Sequence, residues 1–582
     1  MRPIGKAAVK QWSIQHPFPV LVRHFFQRLF QNDFVAFEDQ MKEKTISLLA
    51  IIAILSAHVA NSVLMKYMLN ADLGTSWMEK CFFASFIMLL LGFITVFEWD
   101  VLFPDSRDFS NLLVLPLKLK TIFTAKFASL CGFVGLFALG ANIFSFLPFW
   151  FNLPKWQAEN DFLFFTYFIL VHLICMLAAC FFVFFFAVFL IGVLMLILPM
   201  KIFQSLSLFI RTVFMISFMF MMIFVVISSV GVSQPFHFLS ELKANHSPLF
   251  YALPPAWFTG LYETLLGNID PQFQTCALLA LLSLVFVIAG FFTTSALGYR
   301  KYCRKAEVKK KTNQRFLRFK HSSIRIFNAV FLPNPIQRGI FYFFGKTLRQ
   351  SMIHKMRLAT FAAAGFALGL ILLVFLVREP VVFTELNKTI LSIPLIWTFF
   401  LMAGVRSIVN IPSRLEANWI FRLTEDRSLK HYAAGLRKGI VFFLLLPLAF
   451  LVSVFSAFMW GWAPGFLHGI FGFVMSALLM EIVFLKWNKI PFSCAYLPGQ
   501  ARAHILWPAY IVFFLAYVSL SGTLEWFLLK NPFFFIYFLA AAVSIILILK
   551  IVLNRRLQRL KRLVYTEEPE PALVTLLTYS HK

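Results

Sequence analysis

Four carboxylates, Glu98, Asp100, Asp105 and Asp108, crowd into the polar stretch EWDVLFPDSRDFSNLLVLPLKLKTIFTAK at 98–126. Grouped carboxylates are raw material for general acid–base work or for binding a cation. A second polar stretch, NIPSRLEANWIFRLTEDRSLKHYAAGLRKG at 410–439, echoes the first. In each, a proline (Pro104, Pro412) closes an apolar segment, and acidic and amide residues follow: Asp108 and Asn111 in the first, Glu416 and Asn418 in the second. A compact apolar patch comes next, Leu112 to Leu115 before Pro116 in one and Trp419, Ile420, Phe421 and Leu423 in the other. Asp or Asn near a helix start satisfies free backbone N–H groups, so a short surface helix is expected in each loop. Its apolar ridge, rimmed by charge, is what a partner's groove accepts. The plainer alternative is a surface helix resting on its own membrane domain.

Other chemistry is excluded. The sequence has no HExxH, no GxSxG and no grouped His and Asp. GIFYFFGKT at Gly339 to Thr347 places five residues between its glycines where a phosphate loop needs four, and aromatic residues where small ones are required. The seven cysteines lack paired spacing, so no metal site and no disulfide framework is expected. The chain reads as a non-enzyme that binds no cofactor of its own.

The elements that position the two loops are membrane spans. The chain is 60% hydrophobic and 14% charged over 582 residues, against roughly 25% charged in soluble domains. Apolar runs near the 20 residues that cross a bilayer fall at about 45–65, 81–97, 127–150, 162–199, 203–230, 273–298, 358–377, 389–411, 439–459, 466–485, 505–524 and 532–553. The run at 162–199 reads as one long, tilted helix ended by Pro199 and Lys201. The expected fold is all-α and polytopic, about twelve spans in a six-plus-six pseudo-repeat. Each half is led by an interfacial amphipathic helix: Phe18 to Phe34, with Val22, Phe25, Phe26, Leu29 and Phe30 on one stripe, and Pro335 to Met356, with Ile340, Phe343, Phe344 and Leu348. The halves are 1–299 and 336–554, joined by a basic linker at 300–335 and followed by a tail at 555–582.

The net charge of +27 has a topological origin. Of the 53 Lys and Arg, all but Lys66, Lys80, Lys155, Lys243, Arg378, Lys388 and Lys530 fall on one side of the spans. By the positive-inside rule that side, with both termini and the linker, is cytoplasmic. Nucleic acid is not an expected partner, whereas lipid is. The external segment at 233–268 is expected to lie at the outer surface with Trp257 and Tyr262 at headgroup depth. Ionisable groups are nearly missing from the spans: Arg211, Arg406, Glu481 and Lys550 lie near inner ends, where snorkelling accounts for them. The deeper polar residues are His58, Asn61, Asn142 and His172. They suit helix-to-helix hydrogen bonds or the lining of a substrate path.

With its leading interfacial helix, six spans, charged loop after span two and ALPPAWFTGLYETLLG segment between spans five and six, the first half resembles the permeases of type-2 ABC exporters. The loop carries the most specific part: Asp105, Arg107 and Asp108, then Leu115, Pro116 and Leu117, then Lys126 at the start of span three. The second half resembles that layout only, because SGTLEWFLLKNP between its last two spans is too short to carry external helices. The resemblance implies two fused permease halves whose loops act as coupling helices on separate ATP-binding ATPase subunits. Those subunits would hold ATP and Mg, one chain serving an ATPase pair. The docking residues implied are Asp105, Arg107, Asp108, Asn111, Leu115 and Pro116, with Arg414, Glu416, Asn418, Trp419 and Arg422 in the second loop. It further implies a bacterial cytoplasmic membrane and alternating access along the interface of the halves. A cavity without fixed charge favours apolar or amphipathic cargo. An ATPase-independent transporter or channel, or a membrane scaffold that moves nothing, is the alternative.

Overall fold

In the computed structural model the apolar runs become helices, because a backbone in hydrocarbon must satisfy its N–H and C=O groups within its own segment. The structure describes residues 17–31, 38–64, 76–97, 119–152, 162–229, 234–305, 325, 327–377, 387–413, 429–487, 489–493 and 503–559. Among them eleven helices are long and apolar enough to cross a membrane. The protein is a polytopic helical membrane protein. It divides into two units, Met1–Lys309 and Lys310–Lys582, and the division falls inside the basic stretch 300–335.

In unit 1 the order is α1 (Pro17–Gln31), α2 (Glu38–Leu64), α3 (Ser76–Phe97), α4 (Leu119–Asn142), α5 (Phe146–Asn152), α6 (Phe162–Ile197) and α7 (Met200–Ser229). Three short helices follow, α8 (Gln234–Ala244), α9 (Pro248–Ala252) and α10 (Pro254–Leu265), then α11 (Pro271–Lys305). The long apolar run is a single helix of 36 residues. It does not extend past Pro199 as free helix: the Pro199 carbonyl accepts from the N–H of Ile202 and Phe203, so α7 starts at once. Proline cannot continue α6 but suits the first turn of the next helix. The fifth expected span lies in α7, where the apolar stretch Phe209–Val225 is recognised among the described residues.

Helix α1 buries Leu21 and Phe25 against Ile122 and Ala125 at the start of α4. Helix α3 packs on α6 and α7, and α6 packs on α11. Helices α8 to α10 close the end of the unit where α3 and α6 begin, which we call the cap end; the other is the loop end. Gly260 lets α10 touch α11, since a Cβ there would lie 2.7 Å from the Phe273 carbonyl oxygen.

Unit 2 runs α12 (Pro335–Gln350), α13 (Met352–Val377), α14 (Lys388–Val409), α15 (Leu429–Ile440), a π-turn at Val441–Leu445, α16 (Leu446–Trp460), α17 (Trp462–Val483), α18 (Ala503–Lys530) and α19 (Pro532–Arg559). Asn334 caps α12 by accepting from the N–H of Ile336 and Gln337, with Pro335 in the first turn. The amphipathic helix then buries Ile340, Phe341 and Phe344 and packs on α15. The π-turn has a local cause. Pro447 has no N–H for the Phe443 carbonyl and its ring crowds that carbonyl, so the ladder widens one turn earlier, and Leu446 N–H donates to Val441. Helix α14 packs on α17 and α18, and α17 on α19.

Candidate functional site

The greater part of each polar stretch, 98–118 and 414–428, lies outside the described residues. This holds for Asp105, Arg107, Asp108, Asn111, Leu115 and Pro116, and for Arg414, Glu416, Asn418, Trp419 and Arg422. The four polar residues of the spans are not brought together as one lining. His58 and Asn61 are exposed on the surface of α2, whereas Asn142 and His172 are buried.

Asn142 and His172 belong to a chain of polar contacts at the cap end of unit 1. Asn142 ends α4; its side-chain amide donates to the Ala138 carbonyl at 2.7 Å, and its own carbonyl accepts from the Ser145 hydroxyl at 3.1 Å. Ser145 Oγ meets His172 Nε2 at 2.9 Å, and His172 Nδ1 meets the Tyr262 hydroxyl at 3.3 Å. The Ser145 hydroxyl gives its one hydrogen to Asn142, so it accepts from His172 Nε2–H, and Nδ1 is left to accept from the Tyr262 hydroxyl. Lys80 Nζ stands 4.7 Å over the Tyr262 ring and 2.6 Å from Glu263 Oε1, and Asn268 Nδ2 donates to Glu263 Oε2 at 3.2 Å. Tyr262 is thus not a headgroup anchor: it is fully buried, and burial, with Cys175 and Glu263 adding to it, pushes its phenol well above the usual range. Trp257 is half-buried, its Nε1–H donating to the Tyr251 carbonyl at 2.6 Å and its ring in a T-shaped contact with Phe182. The result is a desolvated lock with one cation and one carboxylate in direct contact, tying the short helices to α3, α4 and α6.

Lys80 and Glu263 were the functional residues most easily missed in the sequence. The signal was weak: Lys80 follows Glu79 at the start of an apolar helix, and Glu263 is the one charged residue of PPAWFTGLYETL, 183 positions away.

At the end of unit 2 where the second polar stretch begins, Arg406 and Glu481 are held by neighbours, which corrects the snorkelling account for these two. Arg437 Nη1 lies 3.5 Å from Glu481 Oε1, and Nη2 3.5 Å from Asn554 Oδ1. The Arg406 guanidinium sits 4.6 Å over the Trp487 ring and 5.6 Å from that of Phe484. Arg211 in unit 1 is buried rather than extended to a surface. At the opposite end of unit 2, His468 Nδ1 is 2.5 Å from Glu525 Oε1. The apolar pattern places Glu525 just past a span, but α18 continues to Lys530 and encloses it.

The root of the second polar loop is tied from three directions. Phe492 N–H donates to the Val409 carbonyl and Ser413 N–H to the Phe492 carbonyl, both at 3.0 Å. His354 Nε2 lies 3.1 Å from the Ile411 carbonyl, so that nitrogen carries the donating hydrogen. Its Nδ1 is then left to Ser351 Oγ at 2.6 Å. Phe492, in left-handed backbone at φ 60°, stacks on Phe344 and presents an edge contact to Phe343 and His354. The stretch that follows α17 therefore clamps the end of α14 where the loop begins.

No family model, no curated protein and no solved structure matches the chain. The class is defined by the fold alone: a multi-pass helical membrane protein in which several buried charged side chains, Lys80, Arg437 and Glu481 among them, are drawn into local pairs.

Proposed function

We propose that the chain is the membrane permease of an ABC-type exporter, two six-span halves in one chain, energised by separate ATP-binding ATPase subunits. The observation that carries this reading is the placement of the two polar loops. Each leaves a second span and enters a third, α3 to α4 and α14 to α15, and in each unit the amphipathic helix packs on the first turns of that third span. A push on the loop would move span and surface helix as one body, which is what a coupling element requires. The same order of packing in both units supports the six-plus-six reading, with α7 as the fifth span: second span on fourth and fifth, fourth on sixth.

In this proposal the docking residues are those named in the two loops, and ATP and Mg reside on the partner. Cargo is apolar or amphipathic and moves by alternating access. The Lys and Arg asymmetry supports a bacterial cytoplasmic membrane with both termini inside. Purification of the full chain from its host in mild detergent tests the reading. An ATPase should co-purify, and Asp108→Ala combined with Glu416→Ala should release it. A preparation without an ATPase, or a complex that survives the double change, overturns the assignment.

A further inference from the structure

The described part of unit 2 contains one buried pair in which both partners exchange protons. His468 comes from α17 and Glu525 from α18; their side chains are 3% and 0% exposed and meet at 2.5 Å. His468 is six residues from the first residue of its helix and Glu525 five from the last of its own, so at 1.5 Å per residue the pair lies roughly 8–9 Å inside the helix ends. The contrast with Lys80 and Glu263 is chemical. There the cation is a lysine, and both carboxylate oxygens have partners. Here Glu525 Oε2 is buried and accepts no hydrogen bond from any described residue. Trp460 lays its indole against the imidazole at 5.8 Å, and its Nε1–H is likewise unused. A purely structural buried pair gains from satisfying its remaining lone pairs; this one keeps an acceptor open.

We propose that His468 and Glu525 form a proton-binding site, loaded and unloaded as α17 and α18 separate and close. With one proton on the pair the net charge is zero, as imidazolium beside carboxylate or as imidazole beside carboxylic acid. Removing that proton leaves a bare carboxylate, and adding a second, on Oε2, leaves an unbalanced imidazolium. Either charge is expensive in apolar surroundings, so exchange is confined to an open arrangement that admits water. The second proton also cancels the attraction between the two helices, which makes protonation and separation favour each other.

The surroundings leave the pair in control of its own charge. The same helices share an apolar cluster with α14 and α19, made of Leu395 of α14, Phe471 and Met475 of α17, Leu528 of α18 and Phe535 of α19. The other titratable groups on these elements are few. Helix α14 offers Lys388, whose Nζ stands 4.5 Å over Trp526, and Arg406 near its other end; α18 offers Lys530, 4.0 Å over the same ring, buried Tyr517 and exposed Tyr510. The near half of α19 offers only exposed Tyr537, α16 offers none, and the Arg437–Glu481 pair touches α17 thirteen residues further on.

The test is infrared difference spectroscopy on the purified full chain in lipid vesicles, titrated between about pH 8 and about pH 5, the range in which histidine sites change charge. A protonated-carboxyl band should grow on acidification and be missing in Glu525→Gln. In His468→Gln the carboxylate loses its cation and the band should already be present at neutral pH. Superposable spectra of the wild type and Glu525→Gln overturn the proposal, as does a His468→Gln spectrum without the band. Should Glu525→Gln fail to elute as a folded species, His468→Gln decides alone. The co-purification of an ATPase is read separately, so failure of either proposal leaves the other standing.

Discussion

Lys80 and Glu263 stand 183 residues apart in the chain and 2.6 Å apart in the fold, both nearly inaccessible to solvent. One opens a membrane helix and the other lies on α10, so the contact fastens the short helices of the cap end to α3. Leaving one member of a buried pair without the other typically costs about 3–5 kcal/mol, whereas removing both costs far less. Lys80→Met and Glu263→Gln should therefore each lower the thermal unfolding temperature of the detergent-purified chain markedly. The double variant should recover most of that loss. Additive losses would show that the two residues act apart.

The same cap end carries a pH-dependent fastening. Asp270 accepts from Lys243 Nζ at 2.6 Å and from the Gln272 N–H at 2.9 Å, at the start of α11. Burial alone would raise its carboxyl, but these two donors and the Lys243 charge outweigh it and hold the group below its ordinary value of 3.8. A depressed carboxylate stabilises the fold above the unfolded value and loses that contribution as pH falls through the folded one. Limited proteolysis of the segment 234–270 should thus be slow at neutral pH and quicken only below about pH 4, the ordinary carboxylate range. Asp270→Asn should be cleaved faster at neutral pH and show a flatter dependence.

Much of the helical layout is legible in the sequence because the bilayer leaves few alternatives. The amphipathic stripes of α1 and α12, and the reading of 162–199 as one helix, follow from periodicity and run length. The rest depends on partners that no local pattern specifies. Helix α15 takes in polar residues that lie before the expected span because they find partners: His431 Nδ1 meets Gln337 Nε2 at 3.3 Å, Arg437 meets Glu481, and Lys438 Nζ donates to the Phe331 carbonyl at 2.7 Å. Glu525 sits inside a helix that hydropathy cuts short, since His468 meets its carboxyl group from another helix. The polar residues His58 and Asn61 share a face of α2 as their spacing requires, yet spacing could not say that this face is exposed while Asn142 and His172 are enclosed.

Docking of the amphipathic helix in unit 2 rests on two glycines one turn apart. A Cβ at Gly435 would lie 2.7 Å from the Gln337 carbonyl oxygen and 3.0 Å from Ile340 Cβ, and one at Gly439 would lie 3.0 Å from Phe344 Cδ1. Small residues at this spacing let two helices approach to backbone contact. Gly435→Val should push α12 away at a cost of about 1–3 kcal/mol, the usual range for overpacking. Trypsin should then cut faster after Arg338 and Arg349. An unchanged cleavage rate would mean that α12 is held by other contacts.

The last prediction concerns His354, which joins the start of α13 to the root of the second polar loop. Its Nε2–H donates to the Ile411 carbonyl and its ring edge rests on Phe492, whose own backbone bridges Val409 and Ser413. Removing the imidazole leaves a carbonyl without its donor and a ring without its neighbour, a loss of about 1–3 kcal/mol by the usual cost of an unmet buried group. His354→Ala should lower hydrogen-exchange protection in peptides covering 405–413 and 487–493 together, because one clamp holds both. Protection lost in only one of them would show that the two stretches are fixed independently. If the loop transmits ATPase closure, the same variant should keep ATP hydrolysis by the purified complex while weakening its dependence on cargo, because the push would be absorbed at a loosened root.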